Sequence, residues 1–210
     1  MNKMRAIGGI VAAGCCLLAV SGRAGEKAKA KGKSAQPPPE EMAKMMAAFE
    51  KLAAPGAPHK ALTERVGQWE YTNKMWMAPD APPTEVKGTS VIRSIFDGRF
   101  IIEDISGEMM GKAFKGMAIS GYDNFRKQHI GTWCDSMGTS IMLITGTMDK
   151  AGKTLTMTGR SDDLMTGEKD KLYKFVTKIA SKDKHTMEIW EVPKQGKPIK
   201  MMEMTSTRKK

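Results

Sequence analysis

The stretch "GQWEYTNKMW", from Gly67 to Trp76, marks the point where the sequence changes character. From here to the C-terminus, segments of about eight to ten residues are rich in Thr, Ile, Val, Met and aromatic residues. Short groups of Gly, Asp, Asn or Pro separate these segments, which is typical of β-strands joined by tight turns. We therefore predict ten strands, at residues 68–77, 85–95, 99–107, 112–121, 129–136, 139–147, 153–160, 170–180, 185–192 and 198–207.

The order of the predicted strands indicates how they assemble. No helical pattern lies between them, which excludes a parallel α/β sheet. Short turns between consecutive strands favour an up-and-down meander, and such a meander removes its exposed edges by closing on itself. The predicted fold class is all-β: a closed antiparallel up-and-down barrel of about ten strands over residues 67–210, preceded by one or two short helices over residues 40–66.

Residues 1–24 have the pattern of an export signal. Met1 to Arg5 is basic, and Ala6 to Val20 is apolar but shorter than the roughly 20 residues that a membrane-spanning helix needs. Gly22-Arg23-Ala24 fits a small-x-small cleavage site, so we expect a signal peptide and a periplasmic or secreted protein. Lipoprotein anchoring through Cys15 is an alternative, because the small residues before this cysteine loosely resemble a lipobox.

Two segments link the signal to the predicted barrel. Residues 25–39 are rich in Lys, Ala, Gly and Ser, end in a proline run and have no apolar periodicity, which predicts a disordered linker. Residues 40–66 show apolar residues at helical spacing, and Ala54-Pro55-Gly56 ends the first helix. One face of that helix carries Met42, Met45, Met46, Phe49 and Leu52.

The formal net charge of +11 does not indicate nucleic-acid binding. More than half of it comes from residues 1–36, which leaves +5 for residues 37–210. An excess of this size, spread over a domain rich in acids, is not a basic stripe. We expect no nucleic-acid partner and no transmembrane span after signal cleavage, while peripheral association with an anionic envelope surface stays open.

Both ends of the predicted barrel carry a recognisable signature. Gly67-Gln68-Trp69 at the first strand and Arg208 at the last resemble the calycin superfamily, the lipocalins and their relatives, in which a basic residue packs across a tryptophan that plugs the barrel. This resemblance implies a lipocalin-like barrel. A closer resemblance, to the bacterial family DUF1579, covers roughly Pro58 to Lys209 and implies an exported protein without an established activity. It rests on "HKALTERVGQWEY", "FDGRFIIEDISGEMMGKAFKGMAISGYDN", "GTWCDSMGTSIMLITGTMD" and "MMEMTSTRK".

Alternation along each strand predicts which side chains face the lumen. An inward Trp69 places Asn73 on the same face, and an inward Arg208 does so for Met202 and Met204. In the middle strands, the aromatic positions suggest that Trp133 faces inward with Asp135, and Trp190 with Glu188. The predicted ligand-binding residues are Asn73, Trp133, Asp135, Glu188, Trp190, Met202 and Met204, with Gly67, Trp69 and Arg208 as the structural signature.

The stretch from Gly121 to Ser140 carries reactive residue types, but we predict no catalytic residue there. His129 and Cys134 fall on opposite faces of one strand, which prevents a nucleophile–base pair. We expect Cys134 to be buried and His185 to be solvated. No cofactor and no metal site is predicted; the alternatives are haem, held by His129 or His185, and Cu(I), a soft ion that suits methionine.

The function that these features predict is non-catalytic binding of a small, largely apolar molecule in the lumen. One alternative is an enzyme of the same fold that acts on a hydrophobic substrate by acid–base chemistry of Asp135 and Glu188. Another is a protein-interaction module that uses the outer barrel surface and the apolar face of the N-terminal helix.

Overall fold

The computed structural model describes residues 37–78 and 81–210. The predicted signal peptide, Cys15 and most of the predicted linker lie outside the described residues. So do Pro79 and Asp80 of the predicted first turn.

Two helices precede the sheet: α1, Pro39–Ala53, and α2, Ala57–Thr63. Glu40 and Glu41 lie in the first turn of α1, where carboxylates favour the positive end of the helix dipole. The apolar face of α1 is exposed throughout its length. Asn124 holds the end of this helix, because its amide donates to the carbonyls of Leu52 and Ala54 at 2.8 Å each.

Ten strands follow and form a closed barrel, in which every strand pairs with its neighbour along the chain and β1 pairs with β10. All the pairings are antiparallel, which confirms the predicted up-and-down topology. The strands are β1 Gly67–Met75, β2 Thr84–Ile95, β3 Phe100–Met109, β4 Lys112–Asp123, β5 Gln128–Asp135, β6 Met142–Met148, β7 Thr154–Ser161, β8 Lys171–Ser181, β9 Lys184–Val192 and β10 Ile199–Arg208.

The connections between strands lie alternately at the two ends of the barrel, and these two ends differ. The plugged end contains Trp69, Arg208 and α2, which packs against β3 and β4. The mouth is the opposite end. Because the strands alternate in direction, five connections meet at the mouth: the first, of which residues 76–78 and 81–83 are described, and 110–111, 136–141, 162–170 and 193–198.

Inward-facing side chains are packed unevenly around the barrel. On β1 to β4 they form two buried apolar clusters: Trp69, Ile92 and Ile101 with Leu62 of α2, and Tyr71, Ile105 and Phe114 with Met204 of β10. On β5 to β9 most inward side chains are only half-buried. The hydrophobic core therefore occupies one arc of the barrel wall and the plugged end.

Glycines make room for the aromatic side chains inside the barrel. A Cβ at Gly88 would overlap the Tyr71 hydroxyl, which donates to the carbonyl of Ser106 at 3.2 Å. A Cβ at Gly116 would overlap the indole of Trp133. Both glycines thus allow a large ring to lie flat against a neighbouring strand.

Candidate ligand-binding lumen

The arc from β5 to β9 provides an inner wall of apolar side chains, of which Trp133 and Met187 pack against the Tyr71 cluster. Strand register places its large apolar side chains on one face, and each of them is half-buried rather than buried. These residues point towards the barrel axis and keep part of their surface accessible. The wall consists of Trp133, Met142, Ile144, Met157, Phe175, Met187 and Ile189.

Trp133 and Asp135 both face inward, as the sequence predicted. The Trp133 indole Nε1 donates to Asp135 Oδ2 at 2.8 Å. The other oxygen of this carboxylate accepts from the backbone N–H of Met137 at 2.8 Å. Each oxygen of Asp135 therefore has a partner, and the carboxylate fixes the orientation of the indole at the lumen wall.

Asn73, Met202 and Met204 also face inward, because β1 pairs Asn73 with Met204 and Met75 with Met202. Asn73 is 6% exposed, and its Oδ1 is fully buried without a hydrogen-bond partner. A buried acceptor without a partner carries a desolvation cost of about 1–3 kcal/mol. Its register partners on the two neighbouring strands are the apolar Met204 and Val86. The binding role of these residues stays a prediction.

Glu188 and Trp190 do not face the lumen, so this part of the prediction is wrong. Register pairs them with Val176 and Lys174 on β8, on the face opposite to the inward Met187 and Ile189. Each of the two alternating sets of side chains along β9 contains apolar and charged residues. Only the pairing with β8 and β10 decides between them.

On the outer wall, Trp190 forms part of an aromatic and basic cluster. Lys200 Nζ lies 5.6 Å from the Trp190 ring centroid and 5.3 Å from that of Trp76. Glu188 lies 3.2 Å from Lys200 Nζ and accepts from the Trp190 indole at 3.3 Å. Although Glu188 is partly buried, its hydrogen bond and ion pair with Lys200 help to lower its pKa.

A charged group that the sequence analysis missed lies at the mouth. Lys171 is the first residue of β8, and its ammonium lies 2.9 Å from Glu191 and 3.0 Å from Asp163 of the 162–170 connection. The hydrogen bond to Glu191 is the main cause of a raised pKa for Lys171, while the bond from Lys171 lowers the pKa of Asp163. Alternation from inward Phe175 and Tyr173 would have placed Lys171 on the lumen face.

Arg208 closes the plugged end. Its guanidinium carbon lies 4.4 Å from the Trp69 ring centroid, and its nitrogens donate to the carbonyls of Val66, Glu64 and Lys182. The Trp69 indole donates to the carbonyl of Arg65 at 2.9 Å. This arrangement matches the plug that the sequence signature implied.

His185 lies behind this plug and is buried, so the prediction of a solvated histidine is wrong. Its ring meets that of Trp69 edge-on at a centroid distance of 4.9 Å. Burial lowers the pKa of His185 to about 3, and the charges of Arg65 and Arg208 act in the same direction. The imidazole is therefore neutral at ordinary pH and forms part of the plug.

His129 and Cys134 are separated as predicted, with His129 inside and Cys134 on the outer face. His129 is buried against Tyr122, at a ring-centroid distance of 5.1 Å, and burial lowers its pKa. Cys134 is half-buried, so the prediction of a buried thiol is wrong. Among residues 37–78 and 81–210, no group of three or more His, Cys, Asp and Glu side chains is arranged to hold a metal ion.

A family model described as "Protein of unknown function (DUF1579)" matches residues 54–208. The chain belongs to this family. The DUF1579 match spans α2 and all ten strands, so the plug, the lumen wall and the mouth all lie within the family's domain.

The DUF1579 barrel is similar to the crystal structure of Rv2717c from M. tuberculosis, with a TM-score of 0.53 and 13% sequence identity. The similarity covers 73% of this chain and 99% of that chain, and at this identity it shows the fold alone. The search of curated proteins found no match. Within the described part of the chain, no helix has the length and apolar character to cross a membrane.

Proposed function

We propose that this protein, after export to the periplasm or the cell exterior, binds a small, largely apolar molecule in the barrel lumen without chemical turnover. The observation that carries the proposal is the half-buried apolar wall of β5 to β9, which faces the interior opposite the tightly packed arc of β1 to β4. Apolar walls with few polar groups are typical of small-molecule sites.

One glycine on this wall supports the proposal. Gly131 faces inward between His129 and Trp133 and is itself half-buried. A Cβ at Gly131 would make only ordinary van der Waals contacts, the nearest at 3.4 Å to the carbonyl oxygen of Ile119. This part of the wall therefore has room for a Cβ atom, in contrast to Gly88 and Gly116.

The arrangement of carboxylates supports binding rather than catalysis. Asp135 and Glu188, the pair on which the enzyme alternative depended, lie on opposite faces of the barrel wall. Asp135 is committed to Trp133 and Met137, and Glu188 to Lys200 and Trp190. A general acid–base pair needs two groups that converge on one substrate.

Native mass spectrometry of the protein purified from the envelope of its own cells tests this function. We expect a bound apolar molecule in the wild type and its loss from Gly131→Met, because the new side chain extends into the lumen. Thr132→Met is the matched control, since Thr132 faces outward on the same strand. A wild type without any bound molecule, combined with strong destabilisation by Gly131→Met, would show a lumen filled by side chains and would refute the proposal.

A further inference from the structure

The connections at the mouth carry exposed apolar side chains that no internal packing explains. Four of the five mouth connections contribute, and the exposed fractions range from 44% at Met137 to 75% at Met165. We refer to these residues as the rim: Met77, Met110, Met137, Ile141, Leu164 and Met165. The rim surrounds the entrance of the lumen.

Met110 shows that the rim is not an effect of turn chemistry. The two-residue connection Met110-Gly111 has φ of 53° and 73°, which is a conformation that favours Asn-Gly or Gly-Gly. A methionine in this left-handed region is strained, and its side chain is 56% exposed. Local stability therefore does not account for the apolar residue at this position.

Tryptophan and lysine side chains lie on the outer wall next to the same end. Trp76 directly follows β1 at the mouth, and Lys200 extends between the rings of Trp76 and Trp190. Trp76 and Lys200, with Lys197, Pro198 and Ile199, also line a cleft of about 450 Å³. Tryptophan and lysine in this arrangement are typical of the interface between apolar lipid chains and water.

We propose that the mouth docks on a lipid bilayer surface, so that the rim enters the interfacial layer and the lumen exchanges a membrane-resident apolar molecule. This inference rests on the proposed function and names the source of the ligand. A bilayer suits the rim, because its apolar side chains project from four connections around one opening.

The charges near the mouth are compatible with anionic headgroups. The acids of the 162–170 connection are largely paired internally, since Lys171 binds Asp163 and Glu168, and Arg160 binds Asp170. On the neighbouring 193–198 connection, Lys194 and Lys197 are exposed. Attraction between basic side chains and an anionic surface adds to apolar insertion.

Co-sedimentation with phosphatidylethanolamine vesicles, with and without phosphatidylglycerol, tests the docking. The wild type and all variants are purified in the form in which the protein accumulates in the expressing cells. Residues 1–36 are then processed in the same way in every sample. We expect the double variant Leu164→Ser, Met165→Ser to lower the partition coefficient by roughly tenfold or more, because both side chains lose their transfer into the interface. Lys197→Gln should reduce only the gain that phosphatidylglycerol gives.

Met110→Asn separates stability from docking. It relieves the positive φ, so we expect a higher unfolding temperature together with weaker vesicle binding. Phe125→Ser is the matched control at the plugged end, where this side chain is 80% exposed, and it should leave vesicle binding unchanged.

The apolar face of α1 is the rival contact surface, and Phe49→Ser tests it at a residue that is 64% exposed. Loss of vesicle binding in Phe49→Ser but not in the double rim variant overturns the inference, as does a wild type that binds no vesicles. The two proposals can fail separately. Gly131→Met should still dock on vesicles, and the double rim variant should still retain a molecule already bound in its lumen.

Discussion

Arg208 and Trp69 are direct partners across the β1–β10 pairing, and the guanidinium of Arg208 lies over the indole ring. This contact joins the two ends of the barrel sequence at the point where the sheet closes. The same guanidinium donates hydrogen bonds to carbonyls of the segment before β1 and of the β8–β9 turn. It also donates to the carboxylate of Asp183. One side chain therefore contributes both to the β1–β10 closure and to the attachment of the plug.

Arg208→Ala should lower the free energy of unfolding by about 2–4 kcal/mol, because it removes the cation–π contact and the charge-assisted hydrogen bonds to the backbone carbonyls. Arg208→Lys should recover less than half of this loss, since an ammonium cannot reach all these acceptors at once. Urea denaturation measures both. Equal stability of the lysine variant and the wild type would contradict the bridging role.

Stability should fall on acidification because His185 is neutral in the folded barrel. Its folded pKa of about 3 lies below the ordinary histidine value of 6.5, so the unfolded chain binds the proton first as the pH falls. The stability is fully present above about pH 6.5 and declines towards pH 3, with roughly 2 kcal/mol lost at pH 5.

The buried His129 contributes with the same sign, because its pKa is also lowered. His185→Gln should therefore flatten the pH dependence of unfolding without removing it completely. Urea denaturation at pH 7.5 and at pH 5 provides the measurement, and an unchanged slope in His185→Gln would rule out this histidine as the source.

Two inward glycines should respond to alanine in opposite directions. At Gly131 the added methyl group meets only ordinary contacts, so Gly131→Ala should stabilise the barrel by about 0.5–1 kcal/mol through a less flexible unfolded chain. At Gly88 it overlaps the Tyr71 hydroxyl and the carbonyl of Ser106, so Gly88→Ala should destabilise by roughly 2 kcal/mol. Thermal unfolding of both variants gives the comparison, and destabilisation at Gly131 would indicate a packed lumen.

The 162–170 connection should become more susceptible to proteolysis in Lys171→Met. This change removes the ammonium that joins Asp163 of the connection to Glu191 of β9. We expect cleavage by chymotrypsin near Leu164 and Met165 to be several-fold faster, because fewer native contacts then oppose local opening of this connection. Lys169→Met is the control within the same connection, and equal cleavage rates for the two variants would show that Lys171 does not hold it.

Much of the barrel could be predicted because strand formation depends on local patterns. The turn residues and the alternation of side chains placed ten strands with bounds close to those observed, and Trp69 and Arg208 fixed the inward faces of β1 and β10. For β5, the prediction that Trp133 and Asp135 face inward was also right. These results follow from a period of two that each strand shows by itself.

The face of β9 could not be decided in this way. His185, Met187, Ile189 and Glu191 form one alternation, while Glu188 and Trp190 belong to the other, and each mixes apolar and charged residues. Likewise, the isolated sequence around His185 resembles a turn, whereas the ring is buried because Trp69 lies across the closed sheet. Such residues take their environment from partners distant in the chain.

The sequence by itself determined the number of strands, their order and the chemical signature of the plug, since these depend on neighbouring residues. Only the tertiary structure decided which half of the lumen is packed, which side chains enclose Lys171 and which apolar residues gather at the mouth. The physical reason is closure: pairing β1 with β10 sets the register of the whole sheet, and that register assigns every side chain to the interior or to solvent.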